Sequence, residues 1–135
     1  MHEDKLKKFF LRDRFASYNG ITLEKVASGH AVTKMEVTEN HLNGVDIIQG
    51  GAIFTLADLA FAAAANASGQ VTVGINASIS YFKASSGKIL IAEAKEVSAS
   101  AKIANYNVDV VNETEELVAR VNFTGYRKGT RIEFK

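Results

Sequence analysis

Asp58 is the side chain best placed to do chemistry. It stands in the run from Ala52 to Ala65, where the only other polar residue is Thr55. A helix that is apolar on every side belongs in a protein interior. An aspartate is rarely buried there without a partner or a task. Such a carboxylate can serve as a general base or as a nucleophile. Eight residues earlier the pair Gly50-Gly51 opens the same helix. Backbone N–H groups at a helix N-terminus lack intrahelical acceptors and sit at the positive end of the helix dipole, so they suit a developing oxyanion. Glycine lets a ligand approach that backbone closely. Asn43, seven residues before Gly50, offers an amide that can orient water or substrate.

Plainer readings stand beside these. Asp58 can be a structural acid paired with a backbone group or with Asn43, and Gly50-Gly51 can be a turn before a helix. Asn43 precedes Gly44, an ordinary turn pair. Gln49 does not titrate and suits loop structure or substrate contact. His41 reads as a surface or packing residue.

Spacing adds a constraint. Eight residues of helix place Gly50 and Asp58 about 12 Å apart, so one carbonyl group cannot touch both. If two such helices pack antiparallel across a two-fold axis, the glycine end of one meets the aspartate of the other. The reactive centre would then lie between subunits.

The surrounding pattern supplies elements to position these groups. Residues 3–17 carry Leu6, Phe9 and Phe10 on one side of an amphipathic helix. Asn19-Gly20 is a turn signal. Period-two alternation follows, with ITLEKVA over 21–27 and HAVTKMEV over 30–37 as strands. After the central helix, Ser68-Gly69 is a stop, and strands are expected over 71–83, 88–97, 102–112 and 116–127. Their separators are Ser85-Ser86-Gly87, Ser98 to Ala101, and Glu113-Thr114-Glu115. Connections this short require antiparallel neighbours. The chain divides as one domain over 1–135: an amphipathic helix in 1–18, a core over 19–127 and a tail over 128–135. The expected class is α+β, a curved antiparallel sheet wrapped around one apolar helix. One sheet cannot cover every side of a helix, so the remaining face is expected to meet a second subunit.

Composition narrows the function classes. A net charge of +1 argues against a polyanion-binding surface. The chain has no cysteine, which excludes disulfides, thiolate metal sites and a cysteine nucleophile. His2, His30 and His41 lack ligand spacing, so no metal site is expected. The charged N-terminal stretch has no apolar secretory core, and no apolar run reaches membrane-spanning length without Asp58 interrupting it. A cytoplasmic protein is the expectation, with no nucleic-acid or membrane partner.

The segments His41-Leu42-Asn43-Gly44, Gln49-Gly50-Gly51 and Phe54-Thr55-Leu56-Ala57-Asp58, with Ala60-Phe61-Ala62 and Asn66, resemble hot-dog-fold acyl-CoA thioesterases of the phenylacetyl-CoA type. Ile79 to Lys83 and Tyr106 to Val110 match more loosely. The resemblance implies thioester hydrolysis with Asp58, Gly50 and Asn43 as catalytic residues. It also implies a substrate-binding set of Gln49, Gly51, Phe61, Asn76, Phe82, Lys83, Ser100 and Lys102. No separate cofactor is implied, because coenzyme A is part of the substrate; a homodimer or homotetramer is. Two positions depart from the family pattern. Gln49 stands where His is usual, and Asp46 where Gly is usual. Two alternatives stay open: a hydratase or dehydratase on acyl thioesters, disfavoured by the lack of a His in the helix or glycine loop, and an acyl-CoA-binding or sensing module without turnover.

Overall fold

The computed structural model describes residues 2–84 and 87–135. Ser85 and Ser86, part of one expected separator, lie outside the described residues. Helices α1 (His2–Phe10) and α2 (Arg14–Tyr18) precede the hairpin β1 (Ile21–Ala27) and β2 (His30–Glu36). A 3-10 turn at Glu39–His41 and a loop then lead into the long helix α3 (Gly50–Asn66). The remaining strands are β3 (Gln70–Tyr81), β4 (Ile89–Ala99), β5 (Ile103–Asn112) and β6 (Leu117–Arg131).

The strands form one antiparallel sheet in the order β1-β2-β4-β5-β6-β3. β3 therefore lies at the far edge from the hairpin that precedes it in sequence. The chain covers that distance by laying α3 across the sheet. Alternation holds in each central strand. Ala31, Thr33 and Met35 of β2, Leu90, Ala92 and Ala94 of β4, and Ala104, Tyr106, Val108 and Val110 of β5 are buried toward α3. The opposite face of β5 and β6 carries polar cross-strand pairs, including a two-bond Arg120–Asp109 pair at 2.7 and 3.1 Å. A slip of one residue would turn this polar face inward, which pins the register.

Small residues let the helix lie close to the strands. Ala57, Ala60 and Ala63 are fully buried, and their neighbours Leu56 and Phe61 are buried as well. Phe61 stacks on Phe123 with ring centroids 4.5 Å apart and meets Tyr106 edge-on at 5.5 Å. Thr33 Oγ1 donates to the Leu56 carbonyl at 2.9 Å, satisfying a polar group that would otherwise cost about 1–3 kcal/mol in the core.

Both ends of the chain differ from expectation. The N-terminal segment is two helices rather than one. Asp13 interrupts it, taking extended backbone and capping α2 by accepting from Ala16 N–H at 3.0 Å. The C-terminal segment is not a plain tail. β6 continues to Arg131, Ile132 N–H bonds the Gly69 carbonyl at 2.7 Å, and Phe134 packs edge-on against Phe9 with centroids 5.2 Å apart. Among the described residues no helix is long and apolar enough to cross a membrane.

Gly125 of β6 lies over the Phe61 ring and beside Thr72. A methyl group there would sit 2.7 Å from Thr72 Cγ2 and 3.1 Å from the ring. Thr72 cannot swing away, because its hydroxyl is bonded to the Ala65 and Gln70 carbonyls. Gly125→Ala should therefore destabilise the fold by about 1–3 kcal/mol. Gly74→Ala, whose methyl would meet Phe61 at an ordinary 3.4 Å, should cost under about 1 kcal/mol. Urea denaturation of both variants checks the contrast.

Candidate active site

The exposed positions of α3 fall on one stripe. Gly51 and Asp58 are exposed, and Thr55 and Ala62 are half-buried. Their spacings of four, three and four residues place them on one face. Asp58 is thus exposed within its own subunit, on the face of α3 that the sheet does not cover. It lies where the sheet does not reach. Its surroundings still withdraw enough water to raise its pKa above the usual 3.8, and the negative charge of Asp13 adds to the effect. Both influences make the carboxylate a better base. Asp13 had no functional signal in the sequence. It approaches Asp58 only because the break between α1 and α2 falls beside α3.

The start of α3 is built by side-chain caps. Gln49 is the N-cap, with extended backbone and a side-chain oxygen that accepts from Gly51 N–H. The Gln49 carbonyl accepts from Ala52 N–H at 3.0 Å and from Ile53 N–H at 3.4 Å. Thr55 Oγ1 donates to the Gly51 carbonyl at 2.7 Å. Gly50 N–H is left with no partner among the described residues. Of the two glycines, only Gly50 offers a free donor, so Gly51 does not present its N–H to a ligand as expected.

Room at the glycines is also used differently. A Cβ on Gly50 would lie 2.9 Å from the Tyr81 hydroxyl, and one on Gly51 would lie 2.7 Å from the Gln49 side-chain oxygen. The space beside both backbones is occupied by this chain's own groups, so the glycines admit those groups as well as any substrate.

Asn43 shapes the loop before the helix. Its side-chain oxygen accepts from Val45 N–H at 3.0 Å and Ile47 N–H at 3.3 Å. Its backbone exchanges bonds with Ile47 and Asp46. Asp46 has φ 63°, a left-handed conformation that glycine takes freely and aspartate tolerates. This explains the family preference at that position and why Asp46 is accommodated. His41 is buried and structural. Its Nδ1 accepts from Thr38 N–H at 3.0 Å, so Nε2 carries the proton donated to the Asn19 carbonyl at 2.8 Å.

The expected substrate-binding residues do not converge within one chain. Phe61 is 2 % exposed and packs in the core of its own chain. Phe82 is 55 % exposed, and Lys83 pairs with Glu116 at 2.7 Å. That ion pair, with Asn112 and Thr114, lowers the Glu116 pKa to about 2. Both residues follow Tyr81, whose hydroxyl reaches Gly50. Asn76 is exposed midway along β3. Ser100 bonds Ile103 within the β4–β5 turn, and the Lys102 carbonyl accepts from Arg127 N–H at 2.7 Å. Arg127 is paired with Thr72, at the other end of β3 from Tyr81. Nine residues of strand separate these ends by about 30 Å.

A groove of about 460 Å³ opens beside the start of α3, walled by Phe15, Leu42, Ala52 and Phe54 and bordered by Gln49 and Gly51. A larger one of about 880 Å³ passes Tyr18, Thr22, Lys34 and Thr38 and touches no residue of α3.

Comparison with known proteins places this geometry. The Thioesterase superfamily model matches residues 46–119, a span that includes Gly50, Gly51 and Asp58. The chain is 43 % identical over 104 residues to a protein of Archaeoglobus fulgidus named an esterase, covering 76 % of this chain and 68 % of that one. It is 32 % identical to the acyl-coenzyme A thioesterase PaaI of Escherichia coli, over 89 % of this chain and 86 % of that one. The solved structure of the E. coli PaaI protein superposes with a TM-score of 0.90, covering 98 % of this chain and all of that one. The six-stranded sheet wrapped on α3 is the hot-dog fold, and the chain belongs to the Thioesterase superfamily.

Proposed function

We propose that the protein is an acyl-CoA thioesterase of the cytoplasm, hydrolysing an aryl- or acyl-CoA thioester in sites shared between subunits. The observation that carries this reading is the placing of the one acid of α3 on the one stripe the sheet leaves open, eight residues from a Gly50 N–H that has no partner among the described residues. Two similar structures support the substrate class by what they hold. A Streptococcus pneumoniae thioesterase, 28 % identical with a TM-score of 0.82 over 92 % of this chain and 98 % of that one, contains coenzyme A. The Streptococcus mutans protein smu.793, 27 % identical with a TM-score of 0.78 over 82 % of this chain and 90 % of that one, contains acetyl-CoA.

In this reading Asp58 takes a proton from water, and the water oxygen attacks the thioester carbonyl carbon. The carbonyl electron pair moves onto oxygen, which accepts from the partner subunit's Gly50 N–H. Collapse re-forms the carbonyl and breaks the C–S bond. The coenzyme A thiolate departs and takes the proton from Asp58. The amide of Asn43 remains to orient the water or the thioester, and the groove bounded by Phe15, Leu42 and Phe54 suits the acyl group. Lys83 is the cation at the Gly50 end for the phosphates; Ser100 and Lys102 would reach the same substrate only from another subunit.

Pairing of two chains is supported at the sheet edges. β1 presents Thr22, Glu24 and Lys25 to solvent and is bulged at Glu24, features that discourage edge pairing. β3 presents Val73 and Ile75, 43 % and 57 % exposed. An apolar open edge beside the open stripe of α3 suits a second copy, whether the assembly stops at a dimer or continues to a tetramer.

Asp58→Asn should lower turnover at least about 100-fold, the scale of a lost general base, measured by thiol release across aryl-, short- and long-chain acyl-CoAs. The raised pKa fixes the sign of two pH effects. The base works ionised, so the acid limb of kcat/KM should lie above the ordinary aspartate range. A raised folded-state pKa also means that the stabilising contribution is present below the unfolded pKa and lost as pH rises through the folded one. The ionised Asp58 therefore costs stability at neutral pH, and Asp58→Asn should melt no lower than the parent at pH 7. Wild-type turnover by Asp58→Asn, or no hydrolysis of any acyl-CoA by the parent, would overturn the reading.

A further inference from the structure

Tyr81 and Gln49 grip a single peptide unit from opposite sides. The Tyr81 hydroxyl donates to the Gly50 carbonyl at 3.1 Å. The Gln49 side-chain oxygen accepts from Gly51 N–H. That carbonyl and that N–H belong to the same planar amide, so the unit cannot rock without losing both bonds. The amide before it is held at one end, where the Gln49 carbonyl accepts from Ala52 and Ile53. Its other end is the unpartnered Gly50 N–H. A methyl group at either glycine would collide with the gripping side chain, at 2.9 Å from the Tyr81 hydroxyl or 2.7 Å from the Gln49 oxygen. The glycine pair and its two gripping side chains thus fit as one device.

We propose that Tyr81 and Gln49 are positioning residues that lock the Gly50–Gly51 turn and leave Gly50 N–H as the single backbone donor aimed at the substrate oxygen. This rests on the thioesterase reading for the identity of that oxygen. A donor fixed in advance needs no reorganisation when charge develops, so the lock acts on the transition state more than on substrate binding. Tyr81 is half-exposed, its hydroxyl contributes no core packing, and Tyr81→Phe keeps the ring.

The test compares Tyr81→Phe, Gln49→Ala and the double variant by steady-state kinetics on an acyl-CoA and by amide hydrogen exchange of the free protein. Each single variant should lower kcat about tenfold with KM within about twofold, a smaller loss than removal of the donor itself. The double variant should lose less than the product of the two single losses, because both bonds hold one unit. Gly51 N–H should exchange slowly in the parent and faster in Gln49→Ala. Unchanged kcat in both single variants overturns the proposal, as does a Gly51 N–H that exchanges equally fast in parent and Gln49→Ala. If the parent hydrolyses no acyl-CoA, the thioesterase reading falls, and the proposed catalytic role falls with it. The exchange arm then decides whether the clamp itself exists.

Discussion

One curved sheet can enclose only part of a helix, and the structure turns on that constraint. The strands bury Leu56, Ala57, Ala60 and Ala63 completely and stop short of the stripe through Gly51, Thr55, Asp58 and Ala62. A helix this apolar cannot leave a side open without cost, at roughly 25 cal/mol per Å² of apolar surface. The polar side chains on the open side are Thr55, bonded to the Gly51 carbonyl, and the acid. Geometry alone therefore sets Asp58 on the face of α3 left open in the single chain.

The same constraint orders the start of the helix. Its N-terminal N–H groups need partners, and the chain supplies them unevenly. Gln49 satisfies Gly51 through its side chain and Ala52 and Ile53 through its carbonyl, while Gly50 is left open. A helix end with all donors satisfied would be more stable and unable to receive an oxyanion. An Asp58 whose ionised form is disfavoured by its surroundings is a second local cost at the same site. Asp58 lies on the side of α3 away from the sheet and Gly50 in its first turn beside Tyr81 at the end of β3, so the core bears neither.

Much of this was legible in the residues. Period-two alternation marks β1, β2, β5 and β6, because each buries one face against α3. The Gly50 to Asp58 spacing and the surrounding motif carry the resemblance to the family, and helix pitch separately turns that spacing into about 12 Å. Which residues of α3 stay open was not legible, because a residue's neighbours in sequence do not tell how far a sheet extends around a helix. The break at Asp13 passed unseen because Leu6, Phe9 and Phe10 keep helical spacing up to it. Tyr81 showed only as part of a loosely matching strand, with no sign of its contact to Gly50. Its partner Gly50 is 31 residues away, joined only once β3 has run back along the sheet edge. Gln49 showed as a departure from the family pattern, but its capping role depends on a side-chain torsion that no pattern encodes. Phe61, named for substrate binding through the resemblance alone, packs on the sheet side of α3 rather than on the open stripe.

The central claim is that the acid of one subunit works with the glycine end of another. Mixing an Asp58→Ala chain with a Gly50→Val chain under subunit exchange tests it most directly. Within one mixed dimer, one shared site carries both defects and the other carries neither. Thiol release should return to about a quarter of the parent rate when the chains are mixed equally and assort at random, although each variant alone is inactive. If mixed dimers form from folded chains and no activity returns, acid and donor act within a single chain and the shared-site account is wrong.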